Sequence, residues 1–124
     1  MNKTILIVDD AKEIRQLVKA TLEFEGCTVV EANNGAKAVK AAKEIKPDLI
    51  IMDMAMPGEI NGIEATKAIK QFEGTSDCKI IMLTGSEGEH RKNALDAGAS
   101  EFFRKPFSPL NLINKVDELL GKGS

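Results

Sequence analysis

The stretch TILIVDD, residues 4–10, decides the fold of this 124-residue chain. Its first five residues, Thr4 to Val8, favour a strand and lead directly into two acids, Asp9 and Asp10. Similar short runs follow at 28–32, 48–52, 79–83 and 101–104. Three of the five runs are rich in β-branched residues and nearly continuous, which is typical of strands covered on both faces in a parallel sheet.

Helical patterns separate these runs. Apolar residues at three- and four-residue spacing predict a helix over 11–24, a second capped by Asn34, and a third closed by Gly74. A weaker pattern over 88–97 predicts a fourth helix, and Ser108 can cap a fifth. The predicted apolar stripe of this last helix is Leu110, Ile113, Val116 and Leu120.

Five strand–helix units with short connections predict one α/β domain. We expect a doubly wound, five-stranded parallel sheet of the flavodoxin-like order 2-1-3-4-5, with helices on both faces in a three-layer sandwich. The domain should span 1–121, and 122–124 should form a disordered C-terminal end. That end could equally be where a longer chain was cut.

Composition narrows the function classes. The net charge is −2 and the charges of both signs are interspersed, which argues against direct binding of nucleic acid. No apolar run approaches the length of a membrane span, and no signal peptide is visible. Cys27 and Cys78 have no neighbouring ligands at metal spacing and are expected to be reduced thiols. A cytoplasmic protein without membrane contacts is therefore predicted.

Chemically active side chains follow the predicted strands at one end of the sheet. Asp9 and Asp10 end the first strand, Asp53 the third and Thr84 the fourth, and Lys105 follows the fifth. Ligands of open α/β sheets bind outside the carboxyl ends of the strands, so these five side chains should converge. Each residue alone has a simpler interpretation, such as a helix cap for Asp10. The joint pattern favours a site.

Three convergent carboxylates repel one another, by roughly 4 kcal/mol for a pair at about 4 Å and an effective dielectric constant near 20. Raised carboxylate pKa values or a hard cation would relieve this repulsion, and Mg²⁺ is commonly held by one or two carboxylates together with phosphate oxygens. A carboxylate can also accept a phosphoryl group as an aspartyl-phosphate. Asp53 is the best candidate acceptor, because it stands alone between the acid pair and Thr84 with Lys105.

The stretches ILIVDD, DLIIMDMAMPGEINGIEA, IIMLTG and AGASEFFRKPF, in this order, resemble the response-regulator receiver domain of two-component signalling, including its chemotaxis regulators. The resemblance implies that Asp53 is the phosphoacceptor and that Thr84 and Lys105 bind phosphoryl oxygens. It also implies that Asp10, Asp53 and the backbone carbonyl of Ala55 ligate Mg²⁺, with Asp9 acting mostly through metal-bound water.

The resemblance further implies a switch and its partners. Phe102 should move between exposed and buried positions as Thr84 moves toward the phosphoryl group, and the Lys105–Pro106 bond should be cis. The donor would be a histidine kinase or a phosphotransfer protein. The helix 4–strand 5–helix 5 face would regulate a downstream protein target or an effector domain since removed. The domain would catalyse its own phosphorylation and dephosphorylation, without a separate substrate.

The chain departs from the family pattern near the site. Pro57 and Gly62 are five residues apart where the family spacing is four, which predicts a bulged or longer loop. Ala55 and Ser86 occupy positions where family side chains tune hydrolysis of the phosphoryl group, and both are small and uncharged. His90 could be imagined as a phosphodonor, although a solvated surface histidine is the simpler interpretation.

Two other functions stay open at this point. One is a Mg²⁺-dependent phosphohydrolase with an aspartyl-phosphate intermediate, which would typically carry a second acid where Ala55 stands. The other is a flavin-binding domain of the same architecture. Its first loop should offer hydroxyl and amide donors to a phosphate, whereas Asp9 and Asp10 would repel one.

Overall fold

A computed structural model describes residues 3–54, 56, 58, 60–85 and 91–121. The five strands and five α-helices alternate along the chain, as the sequence predicts. Their bounds are β1 Thr4–Val8, α1 Lys12–Phe24, β2 Thr28–Ala32, α2 Gly35–Ile45, β3 Leu49–Asp53, α3 Gly62–Gln71, β4 Lys79–Thr84, α4 Arg91–Ala97, β5 Glu101–Arg104 and α5 Pro109–Leu120. A short 3₁₀ helix, Glu73–Thr75, follows α3.

The strands form one parallel sheet in the order β2-β1-β3-β4-β5, which confirms the predicted fold class. Asp53 and Thr84 are the last residues of β3 and β4, as predicted, whereas β1 ends at Val8, just before Asp9 and Asp10. Ladder pairing places Val8 beside Met52 and Asp53 beside Leu83. The carboxyl ends of β1, β3 and β4 therefore meet at one edge of the sheet.

The sheet carries a separate apolar core on each face. The first core lies under α2, α3 and α4, and it contains Met52, Met54, Met56, Met82 and Phe102 among its buried residues. The second core lies under α1 and α5, and it is built from isoleucine, leucine and valine, together with Cys27. Coverage of both faces explains why all five residues of β3 are buried.

Side-chain caps are present at three helices, and the sequence predicts two of them, Asn34 and Ser108. Asn34 accepts a hydrogen bond from the Lys37 amide at the start of α2, and Ser108 accepts one from Asn111 at the start of α5. Asn61 begins α3 with a full capping box, in which its side chain and that of Glu64 bond each other's backbone amides. These caps fix the direction in which each helix leaves the carboxyl edge.

The predicted apolar stripe of α5 is partly wrong. Leu110 is 64% exposed, whereas Leu112 and Val116 are buried against the sheet. The pattern 110, 113, 116, 120 and the pattern 112, 116, 119 both repeat at helical spacing and share Val116. Periodicity alone therefore left the rotation of this helix undetermined.

The described part of the chain contains no helix long and apolar enough to cross a membrane. Residues 122–124, predicted to be disordered, lie outside the described residues. Cys27 and Cys78 are both buried and form no disulfide in the described part of the chain, as expected from their isolation in the sequence.

Cys78 gives the fold a measurable alkaline sensitivity. Burial raises the pKa of the Cys78 thiol to about 11, a shift that nearby Lys70 reduces and Asp48 increases. The unfolded chain would release this proton at a lower pH, near 9, so the folded protein loses stability as pH rises between these values. From pH 8 to 10.5 the loss should be about 2 kcal/mol. Urea unfolding of the parent and of Cys78→Ala at both pH values measures this loss. The difference between the two proteins removes the contribution of lysine titration, which is common to both. If the free energy of unfolding changed equally with pH in both proteins, the predicted role of Cys78 would be contradicted.

Candidate phosphoryl-transfer site

Three aspartates lie together at the carboxyl edge. Oxygens of Asp9, Asp10 and Asp53 all lie within 4.8 Å of one another, with Asp9 and Asp53 buried and Asp10 exposed. Asp9 and Asp10 continue directly from β1, and Asp53 is the last residue of neighbouring β3. Parallel pairing of these two strands brings together acids that are more than forty residues apart.

Lys105 supplies the opposite charge. Its ammonium lies 2.8 Å from Asp9 Oδ2 and 3.4 Å from Asp53 Oδ1, and its backbone amide donates to the Thr84 carbonyl. Burial lowers the pKa of this lysine, but its hydrogen bond to Asp9 and the charges of Asp53 and Asp9 outweigh burial and raise it above 10.5. The lysine therefore stays charged across the physiological range.

Every polar group of Asp9 has a partner. Its amide donates to the Ala32 carbonyl, its Oδ1 accepts from the Ala11 amide at 2.8 Å, and its carbonyl accepts from Arg15 Nη1 at 2.8 Å. Among the described residues, Lys105 is the one partner of its fully buried Oδ2. Asp9 is thus held in place from four directions.

Asp10 differs from its neighbour. It has no hydrogen bond or ion pair with any residue that the structure describes, and it is exposed. It does not cap the first helix, since the N-cap position of α1 is Ala11 and carries no side-chain cap bond. Its carboxylate is available for a ligand approaching from solvent.

The site fits a hard divalent cation. Three clustered carboxylates face one ammonium, so a charge imbalance of two negative units remains. The donors are all oxygens, which suits Mg²⁺ better than a soft metal. One of them, Asp9 Oδ2, is a buried oxygen with a single charged partner. The third protein ligand implied by the sequence, the carbonyl of Ala55, lies outside the described residues.

The other predicted site residues that the structure describes lie on or directly after β4 and β5. Thr84 is buried at the end of β4, and ladder pairing sets Phe102 of β5 beside Met82. Phe102 is 8% exposed and belongs to the first core, so its ring occupies the buried one of its two expected positions. The Lys105–Pro106 bond is cis, as the resemblance implies. Ser86, His90 and Pro57 lie outside the described residues.

Arg15 belongs to the site, and it was not identified from the sequence. Besides donating to the Asp9 carbonyl, its Nε pairs with Glu31 of β2 at 3.0 Å. Arg15 is a basic residue in the first turn of the helix that follows the acid pair, and this position could have indicated an interaction with the acids. Its partner, however, comes from a different strand, which local spacing does not reveal.

Comparisons with known proteins agree with this arrangement. The family described as response regulator receiver domain matches residues 5–117. The chain is 40% identical over 121 residues to the chemotaxis protein CheY of Halobacterium salinarum, covering 97% of this chain and 98% of that protein. It is also 40% identical to the phosphate regulon transcriptional regulatory protein PhoB of Pseudomonas aeruginosa, but spans 52% of its length.

Solved structures give the same result. CheY4 of Vibrio cholerae, a chemotaxis response regulator, has a TM-score of 0.90 and 32% identity, covering 97% of this chain and all of that one. The receiver domain of a sensor histidine kinase from Pseudomonas aeruginosa has a TM-score of 0.89 and 30% identity, covering 98% of this chain and 99% of that one. That second structure contains a magnesium ion coordinated in its active-site cleft.

Proposed function

Because the chain belongs to the response regulator receiver domain family, whose members are phosphoryl-accepting switches of two-component systems, we propose that Asp53 is its phosphoacceptor. The observation that carries this assignment is the position of Asp53. Its buried carboxylate ends a central strand, with an ammonium 3.4 Å away and two further carboxylates within 4.8 Å. Among the described carboxylates, Asp9 shares both the lysine and the acid cluster, but its Oδ1 already accepts a hydrogen bond from the Ala11 amide.

In the proposed reaction an oxygen of Asp53 attacks the phosphorus of a phosphohistidine. The new O–P bond forms as the N–P bond breaks, and the imidazole leaves with the electron pair of that bond. The Lys105 ammonium and the Thr84 hydroxyl would neutralise and orient the phosphoryl oxygens, since transfer depends mainly on positioning and charge stabilisation. A water molecule later hydrolyses the aspartyl-phosphate. Ala55 and Ser86 offer no acid or amide to orient that water.

Mg²⁺ is the proposed cofactor, and when bound it would reduce repulsion between the carboxylates and the incoming phosphoryl group. We assign Asp10, Asp53 and the Ala55 carbonyl as direct ligands and Asp9 as a water-mediated one. Asp9 is fixed and paired with Lys105, whereas Asp10 is exposed and has no partner among the described residues, and this difference supports the division.

The proposal is tested by incubating the chain with acetyl phosphate and following its intact mass. A phosphoryl adduct that requires Mg²⁺ is expected. The absence of any adduct with several donors and pH values would contradict phosphorylation at this site. Rapid turnover of an added phosphomonoester would instead favour the phosphohydrolase, which has little support here because Ala55 replaces its second acid.

Switching through Phe102 makes a separate prediction. Addition of beryllofluoride with Mg²⁺ should draw Thr84 toward Asp53 and change the contacts of the Phe102 ring with the first core. Aromatic NMR signals, assigned through Phe102→Leu, should shift, whereas those of Phe24, which is 89% exposed on α1, should stay in place. Unchanged Phe102 signals would rule out this part of the mechanism.

We propose a histidine kinase or a phosphotransfer protein as the donor, and a protein target of the α4–β5–α5 face as the recipient of the signal. The effector could also be a domain joined to this one, since the chain spans about half the length of PhoB but nearly all of CheY. The same proposal includes self-catalysed phosphorylation and a domain that spans 1–121. It also includes a cytoplasmic location and the lack of direct nucleic-acid binding.

A further inference from the structure

Gly35, the first residue of α2, lies directly against the loop that follows Asp53. A Cβ atom added to Gly35 would lie 2.5 Å from the carbonyl oxygen of Ile60 and 2.8 Å from its Cγ1. The first of these atoms belongs to the backbone, so it cannot move aside without displacing the loop. Gly35 is buried, and Ile60 packs against the first core.

Backbone conformation does not explain this glycine. The φ angle of Gly35 lies outside the left-handed region, and the residue is helical. Alanine would be the better residue in a helix, since glycine loses more backbone entropy on folding. The close approach of Ile60 is therefore the structural reason for a glycine at this position.

The contact continues from Ile60 to the proposed phosphoacceptor. Asn61 is fixed by its capping box with Glu64, and the next residue, Gly62, donates its amide to the Met54 carbonyl at 2.9 Å. A Cβ on Gly62 would overlap the carbonyl oxygen of Asp53. Only Asn61 separates Ile60 from Gly62, so a displacement of Ile60 would also move Gly62 and the Asp53 backbone against which it packs.

We infer that Gly35 is a positioning residue for Asp53: it seats the loop after β3 on the start of α2 and so sets the position of the reacting carboxylate. The inference rests on the proposed role of Asp53.

The test is Gly35→Ala, with Gly74→Ala as the matched control. A Cβ at Gly74 would be closest to the Phe72 ring and the end of the Lys46 side chain, which are side-chain atoms. In metal-free protein, the ¹H–¹⁵N signals of Asp53, Met54 and Gly62 should shift in Gly35→Ala and stay in place in Gly74→Ala. With acetyl phosphate and Mg²⁺, transfer to Asp53 should slow about tenfold in Gly35→Ala.

Ile60→Ala provides a second variant that adds no atoms, and it decides the question if Gly35→Ala does not fold. Removing most of the Ile60 side chain, which contacts Gly35, should loosen the loop. The ¹H–¹⁵N signals of the same three residues should then shift, and phosphoryl transfer to Asp53 should slow. Unmoved amides, or a rate loss that Gly74→Ala reproduces, would overturn the inference. If the parent itself accepts no phosphoryl group, the proposed function fails, and the amide signals alone still decide whether Gly35 positions Asp53.

Discussion

Replacement of Asp53 by asparagine is expected to abolish the phosphoryl adduct completely. The amide has nearly the volume of the carboxylate, so the buried end of β3 should keep its packing. It lacks the anionic oxygen that attacks phosphorus, and it removes one of the three clustered acids. Mg²⁺ binding should weaken in the same variant.

Intact mass after incubation with acetyl phosphate and Mg²⁺ measures the loss. Asp77→Asn is the matched control, because this aspartate is exposed in the turn before β4 and should leave the adduct unchanged. An adduct of parental yield in Asp53→Asn would place the phosphoryl group on another residue. Peptide mapping would then identify that residue.

Lys105→Met should have the second largest effect. Transfer from acetyl phosphate should slow about a hundredfold, because a preorganised charge on the phosphoryl oxygens is lost. Stability without metal should fall by about 2 kcal/mol, because the buried Oδ2 of Asp9 would lose its ion pair with Lys105. Mg²⁺ should bind roughly fivefold more tightly, a gain of about 1 kcal/mol, since no ammonium competes for the carboxylates.

These three quantities are measured by mass-resolved kinetics, urea unfolding in chelator and calorimetric titration with Mg²⁺. Lys79→Met, which removes an exposed lysine at the start of β4, is the control and should change none of them by more than a small amount. Slower transfer together with weaker Mg²⁺ binding would indicate that the lysine organises the cluster. The charge competition described here would then be wrong.

The strands and the cluster could be predicted from the sequence because each depends on a local pattern. A continuous apolar run such as the one in β3 indicates a strand buried on both faces, and parallel order places its last residue at the ligand-binding edge. Asp9, Asp10 and Asp53 followed from this rule without any contact being known, and the structure places their oxygens within 4.8 Å.

The contacts that hold the cluster could not be predicted in the same way. Arg15 reaches Glu31 across two elements, and Gly35 meets Ile60 across twenty-five residues of chain. Such pairs depend on how far a helix rotates and how closely a loop approaches it. The exposure of Leu110 has the same origin, because apolar spacing gives the period of α5 but not its rotation.

The two cores of the sheet differ in how easily they deform. All four methionines in the described residues lie in the first core, next to Phe102, while the second core holds none. An unbranched thioether side chain changes rotamer at little cost, whereas branched aliphatic side chains resist rearrangement. One side of the domain is thus pliable and the other stiff. Methyl relaxation should show larger motions for Met52 and Met82 than for Ile51 and Ile81, so that a change of shape stays confined to one half of the molecule.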